Sequence, residues 1–348
     1  MVPVVDLSRR AATLRKPFLE AVDGVLASGQ VLLGPHLAAF EREYATWTGH
    51  AYAVGLSSGA AALQLALQAM GVGAGDEVIV PAFTAVPTAS AVAALGAVPV
   101  PVDVITDTAT IDPRMVGAAI SARTAAVIVV HLYGRPAELP STDLPILEDA
   151  AQAHGAVRKD PRSRAAAYSF YPTKNLGGIG DGGAVVTDDA EMAALLTRLR
   201  THGMAPQYVH NEISQNFRMS EIEAAWLRLS LPLLAAANDR RRAIAAAYRR
   251  AAPGLRWQLD HPDHVHHLAV FRTDDRDRVR AELASREVAT AVHYPLAITE
   301  QPAYRHLTRQ ACPVAEAWAR ECVTVPCFPE MTDDEVDLVA DSLGSLRT

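Results

Sequence analysis

One lysine stands in the stretch SFYPTKNLGGIGDGG (residues 169–183), and its residue type is the first chemical clue. The chain has only three lysines, Lys16, Lys159 and Lys174, because arginine carries nearly all of its positive charge. Arginine stays protonated in proteins, whereas a buried lysine loses its proton readily and becomes a nucleophile for a carbonyl. The aromatic and small residues around Lys174 would supply that burial. The glycines after it would allow close backbone approach and unusual φ angles beside a ligand. Taken alone, the pattern would also suit a lysine in a loose surface loop.

Two further stretches belong to the same chemistry. In GLSSGAAAL (55–63), Ser57-Ser58-Gly59 falls where an apolar strand gives way to an Ala/Leu-rich helix. Free N–H groups and the positive dipole end of a helix N-terminus suit a phosphate, although a simple N-cap serine would account for the residues equally. LEDAAQAHGA (147–156) places Glu148, Asp149, Gln152 and His154 just after another apolar strand. An acid at the carboxyl end of a central parallel strand lies where open α/β sheets bind ligands, and it could also cap a helix. Strand–Ser-Gly–helix, strand–Asp and a Gly-rich loop with lysine together match the needs of pyridoxal phosphate (PLP). One group holds the phosphate, one carboxylate faces the pyridine nitrogen, and one lysine forms the Schiff base.

These residues need a scaffold, and the hydrophobic pattern describes one. Strands are predicted at 51–57, DEVIVP, AVPVPVDV, 124–134 and 144–151, with helical patterns such as 59–70 between them. Short, nearly continuous apolar strands separated by helices predict an α/β fold with a mostly parallel sheet covered on both faces. After GGAVVTDD (182–189) the pattern turns helical, and RRR (240–242) reads as a solvated helix face. A smaller α+β unit is expected from 236, with a strand at 266–273, a helix at 277–287 and a strand at ATAVHYP (289–295). The expected division is a large domain, 1–235, and a small C-terminal domain, 236–348.

Composition narrows the function classes. Half of the 348 residues are apolar, mean hydropathy is near zero and net charge is −7, as in an ordinary globular enzyme without an electrostatic footprint for nucleic acid. The 25 uncharged residues from Val78 to Val102 contain four prolines, so they read as strand–helix–strand and not as a membrane span. The N-terminus lacks the apolar stretch of a signal peptide. Cys312, Cys322 and Cys327 are odd in number, fit no zinc spacing and point to a reducing, cytoplasmic compartment without a metal site. No G-x-G-x-x-G follows the first strand, which sets aside a nicotinamide-binding fold.

Over nearly its full length the chain resembles the DegT/DnrJ/EryC1/StrS family of PLP-dependent sugar aminotransferases, of fold type I. The resemblance rests on GLSSGAAALQLAL, DEVIVPAFTAVPTASAV, EDAAQAHGA, SFYPTKNLGGIGDGGAVVT, QNFRMSEIEAA, VHYPLA and VPCFPEMTDDEV, in that order. It implies that Lys174 is the Schiff-base lysine and proton shuttle, and that Asp149 pairs with the pyridine N–H. Gln152 would lie near the ring's 3-oxygen, while Ser58, Gly59, Ala60 and Ser169 would cup the phosphate. Asn216 would reach the phosphate from a partner subunit, making a homodimer with shared sites. The implied reaction moves an amino group from L-glutamate or L-glutamine to a nucleotide-activated keto-deoxysugar, with GDGG resembling the C3 branch more than the C4 branch. Amino-sugar or antibiotic biosynthesis is the implied setting. A keto-cyclitol acceptor and a non-catalytic PLP or sugar sensor are the alternatives. Two positions depart from the family: Ala60 where threonine is usual, and Ala85 where an aromatic residue often stacks on the ring. Ala85 would leave the ring packed by a smaller residue or helped by another side chain such as His154.

Overall fold

A computed structural model describes residues 1–156, 159–307 and 310–346. The chain opens with helices α1 (Leu7–Ser28) and α2 (Pro35–Thr48), each stopped by a left-handed glycine, Gly29 and Gly49. Next come β1 (Tyr52–Leu56), α3 (Gly59–Ala69), β2 (Glu77–Pro81), α4 (Pro87–Ala93), β3 (Val98–Val102) and α5 (Pro113–Ala119). β4 (Thr124–Val130), β5 (Ile146–Asp149), β6 (Ser163–Ser169) and β7 (Gly183–Thr187) complete the large sheet. The uncharged run from Val78 to Val102 is thus strand, helix and strand. Among the described residues no helix is long and apolar enough to cross a membrane.

The seven strands lie in the order β1-β7-β6-β5-β4-β2-β3. β7 is antiparallel to both of its neighbours and the other pairs are parallel, so six strands run one way and β7 alone runs back. The carboxyl ends of β1, β2, β4, β5 and β6 therefore share one edge. Side chains alternate between the two faces. Val78, Val80, Ala126, Ile128 and Val130 pack with α3 and α4 on one side, while Ile79, Val127 and Val129 join Ile111 and Val116 on the other. Both faces are dry, which explains why these strands read as continuous apolar runs.

Helices α6 (Ala190–Leu199), α7 (Glu221–Ser230) and α8 (Leu234–Ala251) come after the large sheet, with Pro232 in a single 3₁₀ turn between the last two. A second, antiparallel sheet has the order β10-β9-β8, built from β8 (Arg256–Trp257), β9 (Ala269–Arg272) and β10 (Cys322–Val325). Around it lie α9 (Arg276–Ser285), α10 (Pro313–Glu321) and α11 (Asp333–Gly344), the last begun by a capping box between Thr332 and Glu335. At the other end of the chain, Val2 bridges to Val288.

Two sequence expectations fail here for physical reasons. ATAVHYP makes only an isolated bridge, Ala291 to Thr324. The Tyr133 hydroxyl takes the His293 carbonyl that a ladder would need, and the Tyr294 side chain is held by Gln152. RRR is not a uniformly solvated face either. Arg241 is fully buried and donates through Nη1 to the Cys327 carbonyl. All three cysteines are buried free thiols.

Candidate active site

The shared carboxyl edge of the sheet ends in a cavity of ≈ 260 Å³. Ser58 follows β1, Thr84 follows β2, Asp149 ends β5 and Ser169 ends β6, so four strand ends deliver four polar side chains to one place. Seven of the eight sequence-predicted residues line it: Ser58, Gly59, Ala60, Asp149, Gln152, Ser169 and Lys174. Asn216 does not. It is exposed, and its Oδ1 accepts from Arg218 Nε at 2.9 Å.

At one end, the Ser58 side chain caps α3 by accepting from Ala61 N at 3.1 Å. That leaves the N–H groups of Gly59 and Ala60 without partners inside the helix, the usual donor set for an anion. The backbone here is packed too closely for side chains. A Cβ on Gly59 would lie 2.5 Å from Ser169 Cβ, and one on Gly183 would run into the Ser58 carbonyl. Close contact, and not a left-handed backbone, is what demands glycine at both positions.

At the other end, Asp149 is buried, which raises its pKa. Opposing that shift, Oδ2 accepts from Thr88 Oγ1 at 2.9 Å and Oδ1 from Ala151 N at 3.2 Å. Its sequence neighbour Glu148 points away and accepts from His131 Nε2 at 2.8 Å. The strand's alternation thus separates two acids that the sequence places side by side. Gln152 is fixed at both ends of its amide: Oε1 accepts from Tyr133 N at 2.6 Å and Nε2 donates to Tyr294 Oη at 2.9 Å.

Lys174 lies on a turn, its N–H bonded to the Tyr171 carbonyl and its own carbonyl accepting from Arg10. Burial pulls its pKa from 10.5 down to about 8, partly countered by the Asp149 charge. The loop beyond is gripped by α7. Glu223 Oε2 accepts from Ile179 N and Gly180 N at 3.2 and 3.0 Å, and Trp226 Nε1 donates to the Gly177 carbonyl at 2.9 Å. A Cβ on Gly178 would collide with the Glu223 carboxylate. None of the glycines at 177–183 has a positive φ, contrary to the sequence expectation. At Gly177, Gly178 and Gly183 it is close approach of neighbouring atoms that leaves no room for a side chain.

A second cavity, of ≈ 220 Å³, opens on the other side of Lys174. Arg241, His267, His293 and Tyr294 line it, and Arg241 Nε has no hydrogen-bond partner. The sequence had no way to bring Arg241 here. Thr88 was also missed, though two threonines four residues apart in an otherwise apolar run were a readable signal; their hydroxyls are 3.1 Å apart. Of the side chains weighed as ring partners, Ala85 lines the first cavity, while His154 is buried against Tyr168 and Phe170.

A partly buried amine, a buried carboxylate supported by hydrogen bonds, and an anion cradle too tight for side chains fit PLP at its aldehyde, its pyridine nitrogen and its phosphate. Comparison with known proteins agrees. The DegT/DnrJ/EryC1/StrS aminotransferase family profile matches residues 12–344. The dTDP-3-amino-3,4,6-trideoxy-alpha-D-glucose transaminase of Streptomyces venezuelae is 42% identical over 98% of this chain and 95% of its own length. The UDP-N-acetyl-3-dehydro-alpha-D-glucosamine 3-aminotransferase of Acidithiobacillus ferrooxidans is 39% identical over 97% and 96%. The crystal structure of S. venezuelae DesV, in complex with a ketimine intermediate, superposes with a TM-score of 0.93 at 42% identity, covering 99% of this chain and 97% of that one. Fold and site define a PLP-dependent aminotransferase. Within that class, the chain belongs to the DegT/DnrJ/EryC1/StrS family.

Proposed function

We propose that this enzyme takes the amino group of L-glutamate or L-glutamine and delivers it to C3 of a nucleotide-activated keto-deoxysugar, in two half-reactions at one site. The observation that carries the reading is the position of Lys174, a partly buried amine that lines both the cavity holding Asp149 and Ser58 and the cavity holding the buried guanidinium of Arg241. Relatives at 42% and 39% identity are both named for a 3-amino sugar product or a 3-aminotransferase activity, which supports C3.

When bound, PLP supplies an electron sink beside the transferred nitrogen. The chain's residues do the rest. Lys174 Nζ would hold the cofactor at its aldehyde carbon and, when free, would carry a proton on one face of the site. A pKa of about 8 leaves a useful fraction of this amine unprotonated near neutral pH. Asp149 would face the pyridine nitrogen, and hydrogen bonds from Thr88 and the Ala151 N–H oppose the upward push of burial on its carboxylate. The N–H groups of Gly59 and Ala60, with Ser58 and Ser169, hold the phosphate, while Gln152 orients the ring. Arg241 offers a partner for the carboxylate of the amino donor.

A second copy of the chain completes the site by bringing Asn216 to the phosphate. Support comes from the exposed apolar residues on the segment before it: Ile213 is 95% exposed, Tyr208 82% and Val209 50%.

An acceptor panel tests the reading. After glutamate has bleached the cofactor's visible band, a dTDP- or UDP-linked 3-keto sugar should restore it, and a 4-keto sugar or an inosose should not. Restoration by inosose alone would replace the sugar with a cyclitol. Failure of glutamate and glutamine to bleach the band would favour a non-catalytic sensor.

A further inference from the structure

The segment His261–His267, reading HPDHVHH, lies between β8 and β9, and its His264 faces the Tyr133 carbonyl. The cysteine spacings predict no metal site, and these histidines assemble one only in three dimensions. His264 Nδ1 and His266 Nε2 each lie 3.4 Å from the same oxygen, Asp260 Oδ1. The three donor atoms fall within 4.8 Å of one another.

The tautomer of His264 makes this arrangement informative. His264 Nε2 is 3.2 Å from the Tyr133 carbonyl, which can only accept, so Nε2 carries the proton. In the neutral imidazole, Nδ1 then presents a lone pair, and among the described residues it has no hydrogen-bond partner although the side chain is only 1% exposed. A buried lone pair therefore faces a carboxylate oxygen, and a cation between them is the arrangement that satisfies both. Metal-ligating histidines typically donate their second N–H to a carbonyl in this way. Two donor separations of 3.4 Å also match the edge of a tetrahedron with bonds of ~2.0–2.1 Å, about 3.3 Å.

Charged neighbours leave the position open to a cation. Arg135 and Arg249 donate to the carbonyls of Leu259 and Gln258, not to Asp260. Among the described residues, the backbone donor to Asp260 Oδ1 is the His261 N–H, at 2.9 Å. The Asp260 side chain is 54% exposed, so a fourth ligand can be water. The imidazole rings stack 3.7 Å apart with 29° between their planes, and ligation would open that angle so that each lone pair points at the ion.

We propose that Asp260, His264 and His266 bind a borderline transition-metal ion of the Zn²⁺ type. The ion pins the segment before β9 to the Tyr133–Gly134 turn, whose Tyr133 N–H holds Gln152.

The test is Zn²⁺ binding to chelator-treated holoenzyme, read by metal analysis and by a rise in Tm with added Zn²⁺. One Zn²⁺ per chain is expected. Asp260→Ala and His266→Phe should each weaken binding by about tenfold or more, at least what losing an outer-shell partner costs. Asp260 is half-exposed, so its variant keeps the test alive if His266→Phe does not fold. X-ray absorption on the Zn²⁺ form of the unmodified protein should show two imidazole ligands and needs no variant. Sub-stoichiometric binding, binding unchanged in Asp260→Ala, or an edge spectrum without two imidazoles would each overturn the assignment.

Discussion

The two cavities flanking Lys174 are built in opposite ways. The one holding Asp149 and Ser58 is made at the ends of parallel strands, each polar residue sitting at or just beyond the end of an apolar run. The one holding Arg241 is made where α8, the segment before β9 and residues 293–294 converge on the large sheet. In the first, local sequence sets position, since a strand end fixes the place of the next residue or two. In the second, position depends on packing between elements far apart in the chain. On the proposed function, cofactor chemistry would rest on the sheet edge and the choice of donor on the assembled wall.

Substitutions on the two sides should therefore fail differently. The largest effect is expected for Lys174→Ala, which belongs to both cavities. Turnover should fall by at least ~10²–10⁴-fold, the range for losing one positioned acid–base group, with the visible cofactor band shifted as the covalent bond is lost. Residual turnover above a tenth of the original would break the assignment. Next comes Arg241→Gln, expected to raise KM for glutamate roughly ten- to a hundredfold, as for ~1.5–3 kcal/mol of charge-assisted hydrogen bonding. The cofactor's affinity and the KM of the sugar should change little. A loss of kcat with an unchanged glutamate KM would mean the two walls are not divided in this way.

Thr88→Val should act only on the sheet-edge side. Removing the hydroxyl takes one hydrogen bond from a buried carboxylate, so cofactor affinity should weaken by about tenfold, measured by equilibrium titration of the apoenzyme. The smallest effect is one of pH. Capture of PLP needs the unprotonated amine, and burial lowers the pKa of Lys174. The capture rate of the apoenzyme should climb with pH and level off above about 8, whereas a solvated lysine would keep climbing towards 10.5. A plateau near the higher value would place Lys174 in water.

The same contrast explains how much could be read from the residues alone. The α/β class, the strand–helix–strand reading of 78–102 and the set from Ser58 to Lys174 were legible because each depends on local periodicity and on residues immediately after a strand or turn. Thr88 was half legible, as a polar exception in an apolar run. Arg241 was not, because nothing within a few residues of it marks the cavity wall it joins. ATAVHYP misled because its β-branched and aromatic composition suits a strand, while Tyr133 and Gln152 claim the groups that would pair. The glycines were half legible: none of those at 177–183 has a positive φ, but the close backbone approach is there at 177, 178 and 183, where an added Cβ would collide.

That last feature constrains how the enzyme can change over generations. A side chain at Gly178 and the Glu223 carboxylate would occupy one volume, and Glu223 also serves the N–H groups of Ile179 and Gly180. Any side chain at 178 must wait until position 223 has been shortened, and shortening 223 first strips the loop of two acceptor contacts. The two positions form a lock whose pieces can be exchanged in one order only, through an intermediate with a loosened lysine loop. A lineage that keeps its chemistry will hold both residues, even though neither one touches the cofactor cavity.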